Sequence, residues 1–178
     1  MAPRIVALAP GEPLAQSTFS GISRQLLLAV GRRGGLAGTV DGYPRLLVRA
    51  EKAAAFAPDR ECWRQWYNAG ATPISPGIRW AMSRVSSTRL DTELDRTGAE
   101  AVFQFTGWFR PRPRRSVLRA SYHDGNLATY LSRPDLRIDR SSRRVHRALA
   151  WERELYDEMD LIFPMSDWLR RTFIEDFG

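Results

Sequence analysis

The chain has 178 residues, with 27 lysines and arginines against 20 aspartates and glutamates, two histidines and one cysteine. This length suits one domain, residues 1–178, and a composition of 43% hydrophobic and 26% charged residues excludes a disordered or collagen-like chain. One cysteine cannot form an intramolecular disulfide, and no apolar run approaches the ~20 residues of a membrane-spanning helix. The N-terminal apolar stretch is also too short for a secretory signal, so we expect a cytoplasmic protein.

The N-terminal part of the chain predicts a strand, a loop, a helix and a second strand. Residues 4–8 form a short apolar run that a Pro-Gly pair stops, which predicts the first strand. After a loop of small and polar residues, apolar side chains recur at helical spacing from residue 22 until two glycines at 34–35. Residues 36–40 predict the second strand.

The rest of the chain continues the alternation of helices and strands. Further helices are predicted at residues 44–56, 59–70, 78–96, 140–157 and 166–177. Further strands are predicted at residues 101–105, 116–122 and 161–163. Strands that alternate with helices of this length predict an α/β domain built on a parallel sheet.

The loop before the first helix is one candidate site, because ligands of an open parallel sheet bind where strand ends lead into helices. This loop ends in Ser20 and Gly21. A hydroxyl and a glycine at a helix start allow backbone N–H groups to approach a phosphate, but an ordinary helix cap by Ser20 explains the same residues. Neither a Gly-x-Gly-x-x-Gly nor a Gly-Lys-Ser/Thr motif occurs here, so dinucleotide and P-loop binding are not indicated.

A second candidate site follows the second strand of the C-terminal half. Tyr122 and His123 lead there into Asp124, Gly125 and Asn126, a sequence typical of a turn. The His123 imidazole can donate a hydrogen bond to a substrate hydroxyl or take its proton near neutral pH, and the alternative is a structural histidine. Two histidines and one cysteine provide no metal-ligand spacing, so we expect chemistry without a metal.

Arginine clusters form the third candidate site. All basic residues except Lys52 are arginines, four of them between residues 110 and 115 and six between residues 133 and 147. The helix predicted at residues 140–157 is basic at its start and acidic at its end, the reverse of what the helix dipole favours. Either this helix is solvated and tolerates its charges, or a partner compensates for them: a phosphate-bearing ligand, an anionic membrane surface or a second domain.

Several segments resemble the N-terminal half of retaining glycosyltransferases of family 4, which have the GT-B fold. The strongest resemblance is in residues 151–178, WERELYDEMDLIFPMSDWLRRTFIEDFG, where a glutamate-rich helix leads through a short strand into a last helix. Residues 122–126 after a strand, and Ser20, Gly21 and Ile22 before the first helix, are also similar to that family.

The resemblance implies a Rossmann-like α/β domain, one half of a GT-B fold, that binds the acceptor and forms one wall of a cleft. It places Ser20 and Gly21 at the phosphates of the donor and makes His123 the catalytic residue near the transferred sugar. The implied acceptor-binding residues are Tyr122, Asp124 and Asn126. Ser166, at the start of the last helix, is a further candidate for the cleft wall. The family's C-terminal donor-binding domain would begin after Gly178, and we expect it to be absent.

We therefore expect the acceptor-side domain of an enzyme that moves a sugar, with retention, from a nucleoside-diphosphate sugar to an acceptor, without a metal or other cofactor. Alone it should be inactive, and a C-terminal donor domain or a separate partner chain would complete it. The inner face of the membrane is a candidate peripheral contact.

The alternative is a non-catalytic, arginine-rich module that binds RNA or an anionic membrane surface. Only Trp108 and Phe109 lie beside the first arginine cluster, too few aromatic side chains for stacking on bases, so nucleic acid is the less favoured partner.

Overall fold

The structure is a computed structural model that describes residues 3–43, 45–46, 76–112, 116–132, 141 and 143–178. The helix predicted at residues 59–70 and nearly all of the helix predicted at 44–56 lie outside these residues. Three of the six arginines of the second cluster and residues 113–115 of the first also lie outside them.

The described residues form five strands and five α-helices. The strands are β1 (Ile5–Ala9), β2 (Leu36–Asp41), β3 (Ala101–Phe105), β4 (Leu118–His123) and β5 (Leu161–Pro164). The helices are α1 (Ile22–Arg32), α2 (Pro76–Thr97), α3 (Leu127–Leu131), α4 (Arg143–Asp157) and α5 (Asp167–Phe177). The five predicted strands are confirmed, whereas α3 is not among the predicted elements because five residues are too few to show a helical period. None of the described helices combines the length and the apolar character that a membrane crossing requires.

All five strands run parallel in one sheet, in the order β2-β1-β3-β4-β5. Parallel neighbours need a crossover connection, which α1 supplies between β1 and β2 and α4 between β4 and β5. A parallel sheet flanked by helices confirms the predicted α/β class, in a Rossmann-like arrangement. The chain moves in opposite directions from β1 and from β3, so these neighbours form the topological switch point of the sheet.

The interior strand β1, between β2 and β3, is buried on both faces. Val6 and Leu8 pack against α2, while Ala7 and Ala9 pack with Leu27 of α1 on the opposite face. All four of these β1 residues are completely inaccessible to solvent. A strand covered on both faces is apolar at nearly every position, which is why its sequence shows a continuous apolar run rather than an alternation.

Helices α4 and α5 pack together on one face of β4 and β5. Their shared apolar cluster consists of Leu155, Tyr156, Leu169 and Phe173. The other face of the same two strands carries Leu118, Leu161 and Phe163, which are 57%, 55% and 47% exposed. The strands therefore differ in how they are covered: β1 is covered on both faces, and the edge strand β5 on one.

Replacing Leu27 with Ala should lower the free energy of unfolding by about 2–5 kcal/mol, because Leu27 is 1% exposed and its removal leaves a cavity between α1 and the sheet. The neighbouring residue provides the matched control, since Leu28 is 37% exposed and Leu28→Ala should cost less than about 1 kcal/mol. Urea unfolding of both variants measures the difference. Equal losses would contradict the packing of α1 described above.

Candidate functional site

The carboxyl ends of β1, β3, β4 and β5 meet along one edge of the sheet, because all strands run parallel. We call this the carboxyl edge. The segments that follow these strands contain Gly21, Thr106, Asn126 and Ser166, respectively. The backbone at Gly21, at Asn126 and at Ser166, three segments that the sequence analysis predicts for the site, therefore lies along the same edge. The turn at Thr106 is a fourth segment there.

Helix α1 begins at the carboxyl edge without a side-chain cap. Its N-cap residue is Gly21, in a left-handed conformation with φ of 81°. A Cβ at position 21 would lie 2.6 Å from Gln16 Nε2, so both the backbone angle and the space favour glycine. The Ser20 side chain lies outside the described part of the structure. A short 3-10 helix, Thr18–Gly21, leads directly into α1, so α1 begins as the continuation of a hydrogen-bonded turn.

Asp41, at the end of β2, holds the loop that follows β1. Its Oδ1 accepts hydrogen bonds from the backbone N–H groups of Gly11 and Tyr43, both at 2.9 Å. Ser23, fully buried in α1, donates to the Pro13 carbonyl at 2.8 Å from the other side of the loop. Ser23 also donates to the Thr18 carbonyl at 3.1 Å, so side chains hold the loop that leads into α1 near both of its ends.

Asn126 caps α3 and ties the loop after β4 to α5. Its Oδ1 accepts the N–H of Thr129 at 2.8 Å, and its own N–H donates to Thr129 Oγ1 at 3.1 Å, which is a capping box. Its Nδ2 donates to Thr172 Oγ1 at 3.1 Å. Both ends of the Asn126 amide are engaged within the protein, so this residue positions the loop.

Tyr122 and Asp124 differ in their access to solvent. Asp124 is exposed on the loop, whereas Tyr122 is half-buried on the opposite face of β4 from His123, with its ring 6.0 Å from that of Phe105. Burial, and then the charge of Asp124, raises the pKa of Tyr122, so the phenol is neutral at physiological pH. Of the predicted acceptor-binding residues, Asp124 is the one with a freely accessible side chain.

His123 lies at the carboxyl end of β4, as the sequence predicts, but its ring is enclosed. It is 1% exposed, and the rings of Tyr156 and Phe173 pack edge-on against it with centroid distances of 5.2 Å. Its Nε2 shares a hydrogen bond with Ser121 Oγ at 2.9 Å, and its Nδ1 has no partner among the described residues. Burial lowers the pKa of His123 to about 3, so the imidazole is neutral near pH 7. Its catalytic role stays a prediction.

A strained turn follows β3 beside His123. Thr106 has φ of 74°, the sole positive value for a residue other than glycine in the described part of the chain. Such a conformation is costly for a β-branched residue and is often found at functional sites. Gln104 maintains the turn, since its Nε2 donates to the carbonyls of Thr106 at 2.7 Å and Phe109 at 3.0 Å. The Thr106 hydroxyl itself is buried and has no partner among the described residues.

The buried carboxylate of Glu152 supports the turns after β3 and β4. Its Oε2 accepts the N–H of Leu127, the first residue of α3, and its Oε1 accepts the Tyr156 hydroxyl, both at 2.8 Å. Burial raises the pKa of Glu152, while these two bonds and the nearby Arg79 oppose that shift. A Cβ at Gly107 would lie 3.1 Å from Tyr156 Oη and 3.2 Å from Glu152 Oε1, so the turn packs directly on this pair.

Ser166 is the N-cap residue of α5. Its Oγ accepts the N–H of Leu169 at 3.2 Å, and the residue is exposed at the carboxyl edge. This contact is an ordinary helix cap, and it places the start of the last helix where the sequence predicts it.

The acidic end of α4 has partners within the chain. Arg110 pairs with Glu154 and, at 2.6 Å, with Glu158, which also binds Arg119 at 2.9 Å. Burial alone would raise the pKa of Glu158, but the hydrogen bonds from the two arginines outweigh it and lower that pKa. Two arginines of the same chain therefore compensate for Glu154 and Glu158, an arrangement that neither of the sequence-based alternatives included. Arg110 is accordingly not free to bind an external anion.

The sequence analysis missed four residues that shape the site: Asp41, Gln104, Thr106 and Glu152. Two of them carry a signal in the sequence. Gln104 is the one polar residue in the strand AVFQF, and Glu152 continues the spacing of the buried residues Val145, Ala148 and Leu155 on α4. A polar side chain at a position that the period assigns to the core is a candidate for a buried network.

No protein-family model, curated protein or solved structure matches this chain. The resemblance to family 4 glycosyltransferases therefore rests on the residues quoted above, and the function has to be argued from the geometry of the carboxyl edge.

Gly107→Ala should lower the free energy of unfolding by about 1–3 kcal/mol, because the added methyl group meets the Tyr156 hydroxyl and the Glu152 carboxylate at close range. Gly125→Ala is the matched control on the neighbouring loop, where the nearest atom to the new Cβ is Thr129 Oγ1 at 3.7 Å, an ordinary contact. Urea unfolding of both variants decides the matter, and equal stabilities would contradict the close packing at Gly107.

The pH dependence of stability should report the buried state of His123. Its pKa falls from 6.5 to about 3 on folding, so the unfolded chain binds the proton first and the stabilising contribution, complete above pH 6.5, is lost as the pH falls towards 3. Between pH 7 and pH 4.5, the unsubstituted chain should lose about 2–3 kcal/mol more free energy of unfolding than His123→Gln.

Urea unfolding at the two pH values measures this difference. His146→Gln is the control, because His146 is exposed on α4 and its replacement should leave the pH-dependent loss intact. The same loss in His123→Gln as in the unsubstituted chain would show that His123 is not the group responsible.

Proposed function

We propose that this chain is the acceptor-side half of a glycosyltransferase similar to the retaining enzymes of family 4. The observation that supports the proposal best is the parallel sheet whose carboxyl edge holds three segments together: the start of α1 at Gly21, the loop after His123, and the start of α5 at Ser166. A ligand that lies along this edge can touch all three, as a cleft-binding enzyme of this class requires.

The start of α1 is suited to the phosphates of a nucleoside-diphosphate sugar. The helix presents its first N–H groups without a side-chain cap, and Gly21 allows close approach of the backbone. Most of the charge that develops on the leaving phosphate would still have to be stabilised by the donor-binding half. The proposal accordingly assigns no turnover to these 178 residues alone.

The loop after β4 would hold the acceptor. Asp124 is exposed and can accept hydrogen bonds from acceptor hydroxyls, while Asn126 keeps the loop in place through α3 and α5. A neutral, enclosed His123 is suited to a hydrogen bond with a sugar hydroxyl through Nδ1 and not to proton transfer near pH 7. Phe173 and Tyr156 cover the ring, so such a bond requires these side chains to shift.

The arginine-rich module that binds RNA or an anionic membrane has less support. Arg110, the first arginine of the cluster at residues 110–115, is engaged by the carboxylates of Glu154 and Glu158. The affinity of arginines for phosphate groups falls steeply as the salt concentration rises. Binding to RNA or anionic vesicles that weakens strongly between low and physiological salt would favour this module over the glycosyltransferase.

Reconstitution with a donor-binding half tests the proposal. The chain should release no nucleoside diphosphate from nucleoside-diphosphate sugars alone and should do so, in the presence of acceptor, when the half encoded downstream or in an adjacent gene is added. In the reconstituted enzyme His123→Ala should lower turnover by about tenfold or more, the effect of removing a hydrogen bond made in the transition state.

His146→Ala serves as the control and should leave turnover unchanged, because His146 is exposed on α4 and is not one of the predicted site residues. No turnover from a folded, mixed sample would contradict the proposed function. Turnover that His123→Ala leaves unchanged would remove His123 from the mechanism.

A further inference from the structure

Four buried polar residues near the carboxyl ends of β3 and β4 have side-chain atoms without partners in the described part of the chain. These atoms are Arg79 Nε and Nη1, Gln104 Oε1, Thr106 Oγ1 and His123 Nδ1. Arg79 and Thr106 are 6% exposed, and Gln104 and His123 are 1% exposed. Buried polar atoms in native proteins nearly always have a partner, so a group of orphaned atoms points to a ligand, an ion or water.

Strand register brings three of these residues together. Gln104 pairs with Ser121 and Phe105 with Tyr122 across β3 and β4. The N–H of Thr106 then donates to the Tyr122 carbonyl at 2.9 Å, which extends the ladder and sets Thr106 beside His123. The three orphaned side chains therefore occupy neighbouring positions at the end of the two strands.

Arg79 of α2 lies beside residues of α4 that also contact the turn after β3 and His123. Its guanidinium lies over the ring of Trp151, with Cζ 4.5 Å from the ring centroid. The next residue, Glu152, forms with Tyr156 the pair on which Gly107 packs, directly after the strained turn. We call Arg79, Thr106 and His123 the buried polar corner.

The buried guanidinium of Arg79 decides which class of ligand the buried polar corner can bind. None of the ion pairs among the described residues includes Arg79. The charge of Glu152 acts on Arg79, but the Glu152 oxygens accept hydrogen bonds from the Leu127 N–H and the Tyr156 hydroxyl, and Arg79 Nε and Nη1 have no hydrogen-bond partner among the described residues. A buried guanidinium that lacks hydrogen-bond partners is far more costly than an orphaned hydroxyl or imidazole nitrogen. The remaining atoms are compatible with an anion, because the Thr106 hydroxyl can donate and His123 Nδ1 can donate when Ser121 donates to Nε2. Four of the five orphaned atoms are therefore actual or available donors.

We propose that the buried polar corner is a binding site for a small oxyanion, a phosphate or carboxylate group that enters from the carboxyl edge. Arg79 supplies the positive charge and two donor nitrogens, Nε and Nη1. Thr106 and His123 supply one donor atom each. The site does not depend on glycosyl transfer, so its test is separate from that of the proposed function. Its ligand is either a free inorganic or organic oxyanion or the anionic end of a larger molecule.

Thermal unfolding of the 178-residue chain tests the site, with inorganic phosphate and acetate compared with chloride at equal ionic strength. A ligand that binds only the folded state raises Tm as its concentration rises above Kd. We expect such a rise with at least one oxyanion, and the stronger of the two identifies phosphate or carboxylate chemistry. Arg79→Met should abolish the rise, whereas Arg143→Met, which removes an exposed arginine of α4, should preserve it.

Thr106→Val provides a second variant that keeps the side-chain shape and the strained φ while removing one donor. It should weaken the apparent affinity for the effective oxyanion about tenfold, the effect of losing one hydrogen bond to a charged group. If Arg79→Met does not fold, the result with Thr106→Val tests the proposed oxyanion site. A Tm of the unsubstituted chain that neither oxyanion raises above chloride, or a rise that persists unchanged in Arg79→Met or in Thr106→Val, overturns the proposal.

Discussion

Parallel strand pairing is the constraint on which the rest of the structure depends. Every neighbouring pair in the order β2-β1-β3-β4-β5 is parallel, so the chain must return across the sheet after each strand. Each return places the start of the following loop at the same edge. Residues separated by more than a hundred positions, such as Gly21 and Ser166, therefore share one edge although they make no local contact. The position of the candidate site therefore follows from the direction of the strands and not from any particular side chain.

A layer of buried polar groups lies directly behind that edge. Glu152 binds the start of α3 and the Tyr156 hydroxyl, and Gln104 binds two carbonyls of the turn after β3. Polar networks in a low-dielectric interior specify one arrangement when satisfied and are costly where a partner is missing. Here the satisfied bonds hold the loops, and the orphaned atoms of the buried polar corner mark the place where the protein's own groups are insufficient.

The charge distribution of α4 shows how packing changes the meaning of a sequence pattern. Its acidic C-terminal half opposes the helix dipole, which taken alone suggests a missing external partner. In the folded chain Arg110 and Arg119 approach Glu154 and Glu158 from the loop after β3 and from β4. Pairs that are distant in sequence cannot be recognised from helical spacing, because i,i+4 rules describe contacts within one helix only.

The sequence by itself determined the fold class, the five strands and every described α-helix except α3. Apolar runs as in β1 and helical spacing as in α5 are local properties, and the alternation of strands and helices is enough to predict a parallel sheet. It also placed His123 at a strand end and Ser166 at a helix start. Tertiary structure alone decided the surroundings of these two side chains: His123 is enclosed, whereas Ser166 is exposed to solvent. Burial, strain at Thr106 and the pairing of Arg110 depend on which distant segments meet, and a periodic pattern carries information about one element at a time.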